Sequence, residues 1–185
     1  MNNKSKLVLL ATIGNPNYFV NYILSDESII NINIIDTAGQ EKFRAMNESF
    51  YKKADCCMLI YDITNRKEFE EMKEYFIGTI KKLFKKNVKI ILVGNKIDLE
   101  NNRKISYNEG SKLAFSNNFL LIETSCLENK NVYEAFDKII GIYRLSYINN
   151  EKNINEKYIL GRNISFLLDL PYKKHINKLS NYLNQ

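Results

Sequence analysis

Apolar residues follow two rhythms along the chain, and the exchange between them predicts the architecture. Residues 6 to 11, apolar from Leu7 onward, read as a buried strand, while Ile29-Ile30-Asn31-Ile32-Asn33-Ile34-Ile35 alternates with one face more apolar than the other. Tyr18 to Leu24 precedes that strand across Ser25-Asp26-Glu27-Ser28, which suggests a hairpin. Further on, apolar runs at 56 to 62, 88 to 94 and 119 to 123 read as strands separated by helical patterns. Phe69, Met72, Phe76, Ile80, Leu83 and Phe84 fall on one helix face. Ser106 with Glu109 forms a capping box at the start of the next helix. Asn131 with Glu134 imitates that signal ahead of Val132, Phe136, Ile139, Ile140 and Tyr143. Strands alternating with helices predict an α/β fold with a mostly parallel sheet covered on both faces.

The same pattern divides the chain. Residues 1–148 carry the strand and helix alternation of one domain. With 185 residues and 45% hydrophobic content, such a domain buries roughly two-thirds of its unfolded surface. Residues 149–157 are polar and read as a linker. Residues 158–185 are more apolar than a disordered tail: Tyr158, Ile159, Leu160, Ile164, Phe166, Leu167, Leu168 and Leu170 precede Pro171, then Ile176, Leu179, Tyr182 and Leu183 recur at helical spacing. This extension is expected to be helical.

Charge changes this picture little. The net charge is +6, but the pairs Lys52-Lys53, Lys81-Lys82, Lys85-Lys86 and Lys173-Lys174 are scattered, as solvated helix faces are, and predict no nucleic-acid partner. Three cysteines cannot form a disulfide framework, and Cys56-Cys57 lie in an apolar run as buried thiols do. Residues 7 to 13 are too short for a signal-peptide core and no run approaches a membrane span, so a cytoplasmic protein is expected. The single histidine, His175, lies in the tail, and no metal cluster or nucleophile triad is evident.

Three short motifs carry chemistry. Asp36-Thr37-Ala38-Gly39-Gln40 follows a strand: there a carboxylate can hold Mg²⁺ through water, a glycine N–H can face a terminal phosphate, and a glutamine can orient a water. Asn95-Lys96-Ile97-Asp98 follows another strand, where open parallel sheets gather ligands. An Asp at that place can accept the ring N–H and the exocyclic amine hydrogens of guanine, a pairing that adenine cannot offer. Asn95 is expected to brace neighbouring loops, and the Lys96 stem to lie over the base plane. Glu123-Thr124-Ser125-Cys126 ends the next strand.

In this order and spacing the motifs resemble the Ras superfamily, and its Rab branch most closely. Asp36 to Arg44, Phe50-Tyr51, Tyr61-Asp62-Ile63-Thr64, Gly94 to Asp98 and Glu123-Thr124-Ser125 all look like Rab sequence, and the likeness covers about residues 5 to 145. It implies a Ras-like sheet of the P-loop NTPase type, GTP or GDP with Mg²⁺ as cofactors, and Rab-type effectors or regulators as partners through the switch II surface, including Lys42-Phe43-Arg44 and Phe50-Tyr51. By the same resemblance Asp36 and Thr12 serve Mg²⁺, Gly39 senses the terminal phosphate, and Gln40 positions the catalytic water. Asn95, Lys96, Asp98, Ser125 and the backbone of Cys126 recognise guanine.

One part of that family pattern is missing. The phosphate loop GxxxxGK[ST] requires a Gly-Lys pair, and none occurs in the chain. The first strand runs into Ala11-Thr12-Ile13-Gly14, in which Thr12-Ile13-Gly14 looks like Rab switch I. The simplest alignment removes the phosphate loop and the helix it opens as one block, and the apolar extension 158–185 is expected to cover the exposed sheet face. Three further departures stand out: Ile35 where Rabs usually have Trp, Asn15-Pro16-Asn17 within switch I, and a last cysteine at Cys126, which implies no prenyl anchor. The implied function is a Rab-like switch in vesicle trafficking with nucleotide binding and hydrolysis compromised. A nucleotide-independent binding module, or a splice variant of an ordinary Rab GTPase, are the alternatives.

Overall fold

The computed structural model describes residues 5–11, 18–23, 29–36, 51–78, 80–84 and 87–152. Six strands, β1 (Ser5–Ala11), β2 (Tyr18–Ile23), β3 (Ile29–Asp36), β4 (Cys56–Asp62), β5 (Lys89–Asn95) and β6 (Leu120–Glu123), form one sheet in the order β2-β3-β1-β4-β5-β6. The hairpin expectation holds: β2 and β3 are antiparallel, with Tyr18 opposite Ile34 and Ile23 opposite Ile29. All other neighbours are parallel. Because β3 lies between β1 and β2, the chain crosses about 10 Å from one to the other at the usual strand spacing. Residues 12–17 are long enough to do so.

Side-chain alternation splits the core into two layers. Tyr51, Cys57, Leu59, Tyr61, Leu92 and Ile35 point to one face, where they meet Phe69 and Phe76 of α1 (Arg66–Gly78), Phe84, Phe119 and Ala114 of α2 (Tyr107–Ser116). Ile30, Ile32, Ile34, Cys56, Met58, Ile91, Val93 and Ile122 belong to the opposite face. There α3 (Val132–Lys152) supplies Val132, Ala135, Phe136, Ile139 and Ile140. The sequence pattern of β3 is explained directly, since Ile30, Ile32 and Ile34 are buried while Asn31 and Asn33 are only partly so. Gly94 and Gly110 allow close packing on the first face: a Cβ at either position would collide with the Tyr61 hydroxyl, which lies against both.

Local signals fixed the helix ends unevenly. Ser106 caps α2, its hydroxyl accepting a hydrogen bond from the Glu109 N–H at 3.2 Å. The Glu109 carboxylate is held by Arg66 of α1, at 2.9 Å from Nη2 and with a second bond from Nη1, so the capping residue also ties the two helices together. Asn131 stands just before α3. It adopts a left-handed backbone with φ 58°, and its amide donates to the Glu123 carbonyl at 2.9 Å. The expected linker from 149 needs correction, because α3 continues to Lys152; residues 153–157 and the extension 158–185 lie outside the described residues. No helix among the described residues is long and apolar enough to cross a membrane.

Candidate functional site

Parallel register brings the carboxyl ends of the strands to one edge. Ala11 lies opposite Asp36, Asp62 opposite Asn95, and Gly94 opposite Glu123. The loops leaving β5 and β6 therefore start side by side. Backbone bonds lock them: the Thr124 N–H donates to the Gly94 carbonyl at 2.8 Å, the Ile97 N–H to the Thr124 carbonyl at 3.2 Å, and the Ile63 N–H to the Asn95 carbonyl at 3.1 Å. Between β5 and the following 3₁₀ turn, Lys96 takes a left-handed conformation with φ 71° and ψ 38°. That reversal lets the two ends of the motif face different neighbours.

Asn95 faces inward. Its Oδ1 accepts from Thr124 Oγ1 at 3.1 Å and from the Cys126 N–H at 3.3 Å. Asp98, in the 3₁₀ turn, accepts from Ser125 Oγ at 2.5 Å, and that hydroxyl in turn accepts from the Glu128 N–H at 3.0 Å. Ser125 is fully buried, so its hydroxyl has a fixed role as the post that holds Asp98. An ionised carboxylate has more lone-pair sites than the single bond from Ser125 uses. Asp98 can thus accept two adjacent donors while it stays anchored, and this is what a purine bearing a ring N–H beside an amine requires.

Lys96 points elsewhere. Its Nζ lies 2.7 Å from Asp62 Oδ2. Asp62 Oδ1 accepts from both the N–H and the hydroxyl of Thr64, each at 2.7 Å. Burial works against the Asp62 charge, but the bonds from Lys96 and Thr64 outweigh it and hold the carboxyl below its ordinary value. The same contact raises the Lys96 ammonium above its own, against some desolvation. Burial pushes the half-buried Cys126 thiol up, so it is a weak nucleophile at neutral pH.

Beside these loops lies a cavity of about 240 Å³. Met58, Ile60, Val93, Val132, Ala135 and Phe136 form its apolar walls, and Asp62, Glu68, Asn95, Lys96, Thr124 and Cys126 its polar rim. A second ionic cluster, Arg103 with Glu123 at 2.7 Å and with Glu100 at 2.7 Å, fastens the 3₁₀ turn to the end of β6 from behind. Arg103 is thereby held above the usual guanidinium range, chiefly by its bond to Glu123.

Of the residues singled out by sequence, Asn95, Lys96, Asp98, Ser125 and Cys126 come together at this edge. The Cys126 N–H, expected to face a base, is engaged by Asn95. Asp36 ends β3 at the same edge, and its side chain lies outside the described residues, as do Thr12, Gly39 and Gln40. Within the expected partner surface, Tyr51 is buried against Phe84 with ring centroids 5.5 Å apart, so its ring cannot meet a partner. Lys42, Phe43, Arg44 and Phe50 are outside the described residues. Sequence reasoning gave Asp62 no role of its own, nor Glu68. The available signal was Asp62 at a strand end, one residue past an apolar run that pairs with the strand leading to Asn95.

Comparison with known proteins places this geometry in context. A model of the Ras family matches residues 1–144. The chain is 42% identical over 130 residues to the Ras-related protein RABA6a of Arabidopsis thaliana, covering 70% of this chain and 55% of that protein. It is 42% identical over 109 residues to the Ras-related protein Rab-2B of Dictyostelium discoideum, covering 59% and 54%. Against the Ras-related protein Rab-1 of Theileria parva it is 36% identical over 130 residues, covering 70% and 59%. The chain spans about half the length of the curated relatives it matches.

Proposed function

The chain belongs to the Ras family of small GTPases, and we propose that it is a Rab-like member that keeps the base-reading half of the nucleotide site without the phosphate-holding half. The observation that carries this reading is Asp98 anchored on the buried Ser125 beside an Asn95 that braces both loops. Asp98 accepts the two guanine donors, the Lys96 stem flanks the base, and Ser125 keeps the carboxylate aimed. Asp36, Thr12, Gly39 and Gln40 are the positions that would serve Mg²⁺, the terminal phosphate and the attacking water.

Among the described residues, the acceptor chemistry of Asp98 suits the two donors of a guanine. The described residues that line the neighbouring cavity include Asp62, Glu68 and Lys96, with Lys96 paired to Asp62. No Gly-Lys pair exists to build a phosphate loop. If five or six charge-assisted phosphate contacts are lost at roughly 1.5 kcal/mol each, about 8 kcal/mol of binding goes with them. That is roughly five to six powers of ten in affinity. Without a held phosphate, hydrolysis has nothing to act on.

Kinship with Rab-named relatives supports a place in vesicle trafficking, with effectors or regulators as partners. The purified chain is expected to bind GDP weakly but in preference to ADP by ligand-observed NMR, with GTP turnover indistinguishable from buffer. Asp98→Ala is expected to remove the preference for guanine. Equal binding of GDP and ADP by the wild-type chain contradicts the base-reading role.

A further inference from the structure

The face of the sheet that carries α3 is wider than α3. Six strands with centres about 4.8 Å apart span roughly 24 Å, and one helix is about 10–12 Å across. α3 packs chiefly on β5 and β4. On the same face Ile30, Ile32 and Ile34 of β3 are only 4%, 2% and 8% exposed, although β3 stands two strand positions from β4, about 10 Å away. Burial this deep, that far from the strands under α3, requires a second cover over β3.

Connectivity leaves one segment long enough to supply it. Residues 12–17 are spent on the passage from β1 to β2, and 24–28 join β2 to β3 across the hairpin. Residues 37–50 rejoin the sheet through Tyr51 and Ala54, which belong to the other layer. Residues 1–4 are too few for a helix of useful length. Residues 153–185 follow α3 directly. At 21 residues α3 is about 31 Å long, whereas β5 with 7 residues is about 23 Å. The chain therefore leaves α3 at the far edge of the sheet, and residues 153–157 suffice to turn it back.

We propose that residues 158–170 of the same chain form a helix that docks beside α3 over β1 and β3, with its apolar stripe on Ile30, Ile32 and Ile34. Leu160, Ile164, Leu167 and Leu168 recur at i, i+4, i+7 and i+8, the spacing of such a stripe, and Arg162 and Asp169 fall opposite. Ile159, Phe166 and Leu170 make a second apolar strip, which a helix lying against both a sheet and a neighbouring helix also buries. Packed helices lie about 8–10 Å apart, close to two strand spacings, so a neighbour of α3 falls over these two strands. The segment is about 20 Å long as a helix, within the roughly 26 Å of the 8-residue β3, and Pro171 ends it. Gly161 and Asn163 weaken it in isolation, so its helicity depends on the docking. Met58 and Ile60 of β4 line the cavity, and a helix over the next strand, β1, stands beside that wall.

Amide hydrogen exchange of the purified chain, read by mass spectrometry and referenced to a synthetic peptide of residues 158–170, tests it. In the chain this segment is expected to exchange at least tenfold more slowly than in the peptide. Ile164→Asn and Leu167→Asn are each expected to return it to the peptide rate and to speed exchange in 29–36 severalfold, while 89–95 under α3 stays unchanged. The milder Leu167→Ala is expected to move the same two segments in the same direction by less, and Arg162→Gln on the polar side to move neither. Exchange of 158–170 at the peptide rate in the wild-type chain overturns the proposal. So does protection of 158–170 whose loss in Ile164→Asn, Leu167→Asn and Leu167→Ala leaves 29–36 unaffected, because the helix then docks elsewhere. Protection that falls on tenfold dilution, with a dimer in sedimentation velocity, assigns the cover to a second copy and overturns docking within one chain.

Discussion

The two faces of the sheet are built from the same strands but packed to different ends. On the face covered by α1 and α2 the core is aromatic and closed: Tyr61 meets Phe69 at 4.8 Å, Phe76 meets Phe84 at 5.8 Å and Phe119 at 6.4 Å, and Tyr51 meets Phe84 at 5.5 Å. On the other face α3 is the one helix among the described residues, the side chains are mostly aliphatic, and the cavity opens between β4, β5 and the start of α3. Closed packing holds the loops after β5 and β6 in place; open packing leaves a volume next to them. Rigidity and capacity are thus divided between opposite sides of one layer.

Truncating a ring on each face gives the largest contrast. Phe76→Ala is expected to cost about 3–5 kcal/mol, because every side of that ring has a partner to lose. Phe136→Ala is expected to cost less, below about 3 kcal/mol, because the ring already borders a void and little further cavity is created. Urea denaturation midpoints measure both, and equal costs would break the comparison. Enlarging side chains should reverse the order. Ala114→Leu on the closed face is expected to destabilise by about 1–3 kcal/mol through overpacking. Ala135→Leu has room to grow into the cavity and should change stability by less than about 1 kcal/mol.

A smaller effect comes from the ion pair on the rim. Asp62 lies below its ordinary value of 3.8, so its contribution is present above pH 3.8 and is lost as pH falls through the lowered value. Lys96 lies above its ordinary 10.5, so its contribution is present below pH 10.5 and is lost as pH rises through the raised value. The stability difference between wild type and Lys96→Met should therefore be flat between those limits and vanish beyond them. With the lysine half exposed, its plateau should not exceed about 1 kcal/mol. A difference that changes across pH 6–8 would show that another group controls the rim.

Thiol labelling gives the finest comparison of the faces. Cys56 lies on the open face and Cys57 on the closed one, and both are buried. Burial raises both thiols, Cys57 to about 12. Both should resist iodoacetamide at pH 8 until urea unfolds the chain, whereas Cys126, half-buried on the cavity rim, should label first. Cys56 labelling ahead of Cys126 in the native state would mean that the open face admits solvent well beyond the cavity.

Much of this arrangement was legible in the sequence because it is carried by short-range pattern. The alternation of Ile30, Ile32 and Ile34 with Asn31 and Asn33 gave β3 and its buried side, and the Ser106 to Glu109 spacing gave the start of α2. The motifs at Asn95 and Ser125 pointed to one edge because parallel strands end together there. Contacts made across the sheet were less legible. The sequence marks Lys96 as a base-flanking stem, whereas its partner Asp62 follows only from the β4 and β5 register. Asn131 looked like a cap, but its left-handed backbone turns the amide back to the Glu123 carbonyl. Polarity at 149–152 reads as a linker, although a helix end can carry the same composition and α3 continues to Lys152. The cavity itself has no signature in the chain, since Met58, Val93 and Phe136 read as ordinary core until three elements bring them together.

Retention of the base-reading half of the site without the phosphate-holding half is tested most directly by one titration. Fluorescently labelled GTP is added to the full chain with and without Mg²⁺, with labelled ATP as the control. Weak binding that favours GTP over ATP and is the same with and without Mg²⁺ is the expected result. Tight binding that requires Mg²⁺ and is accompanied by GTP turnover would contradict it.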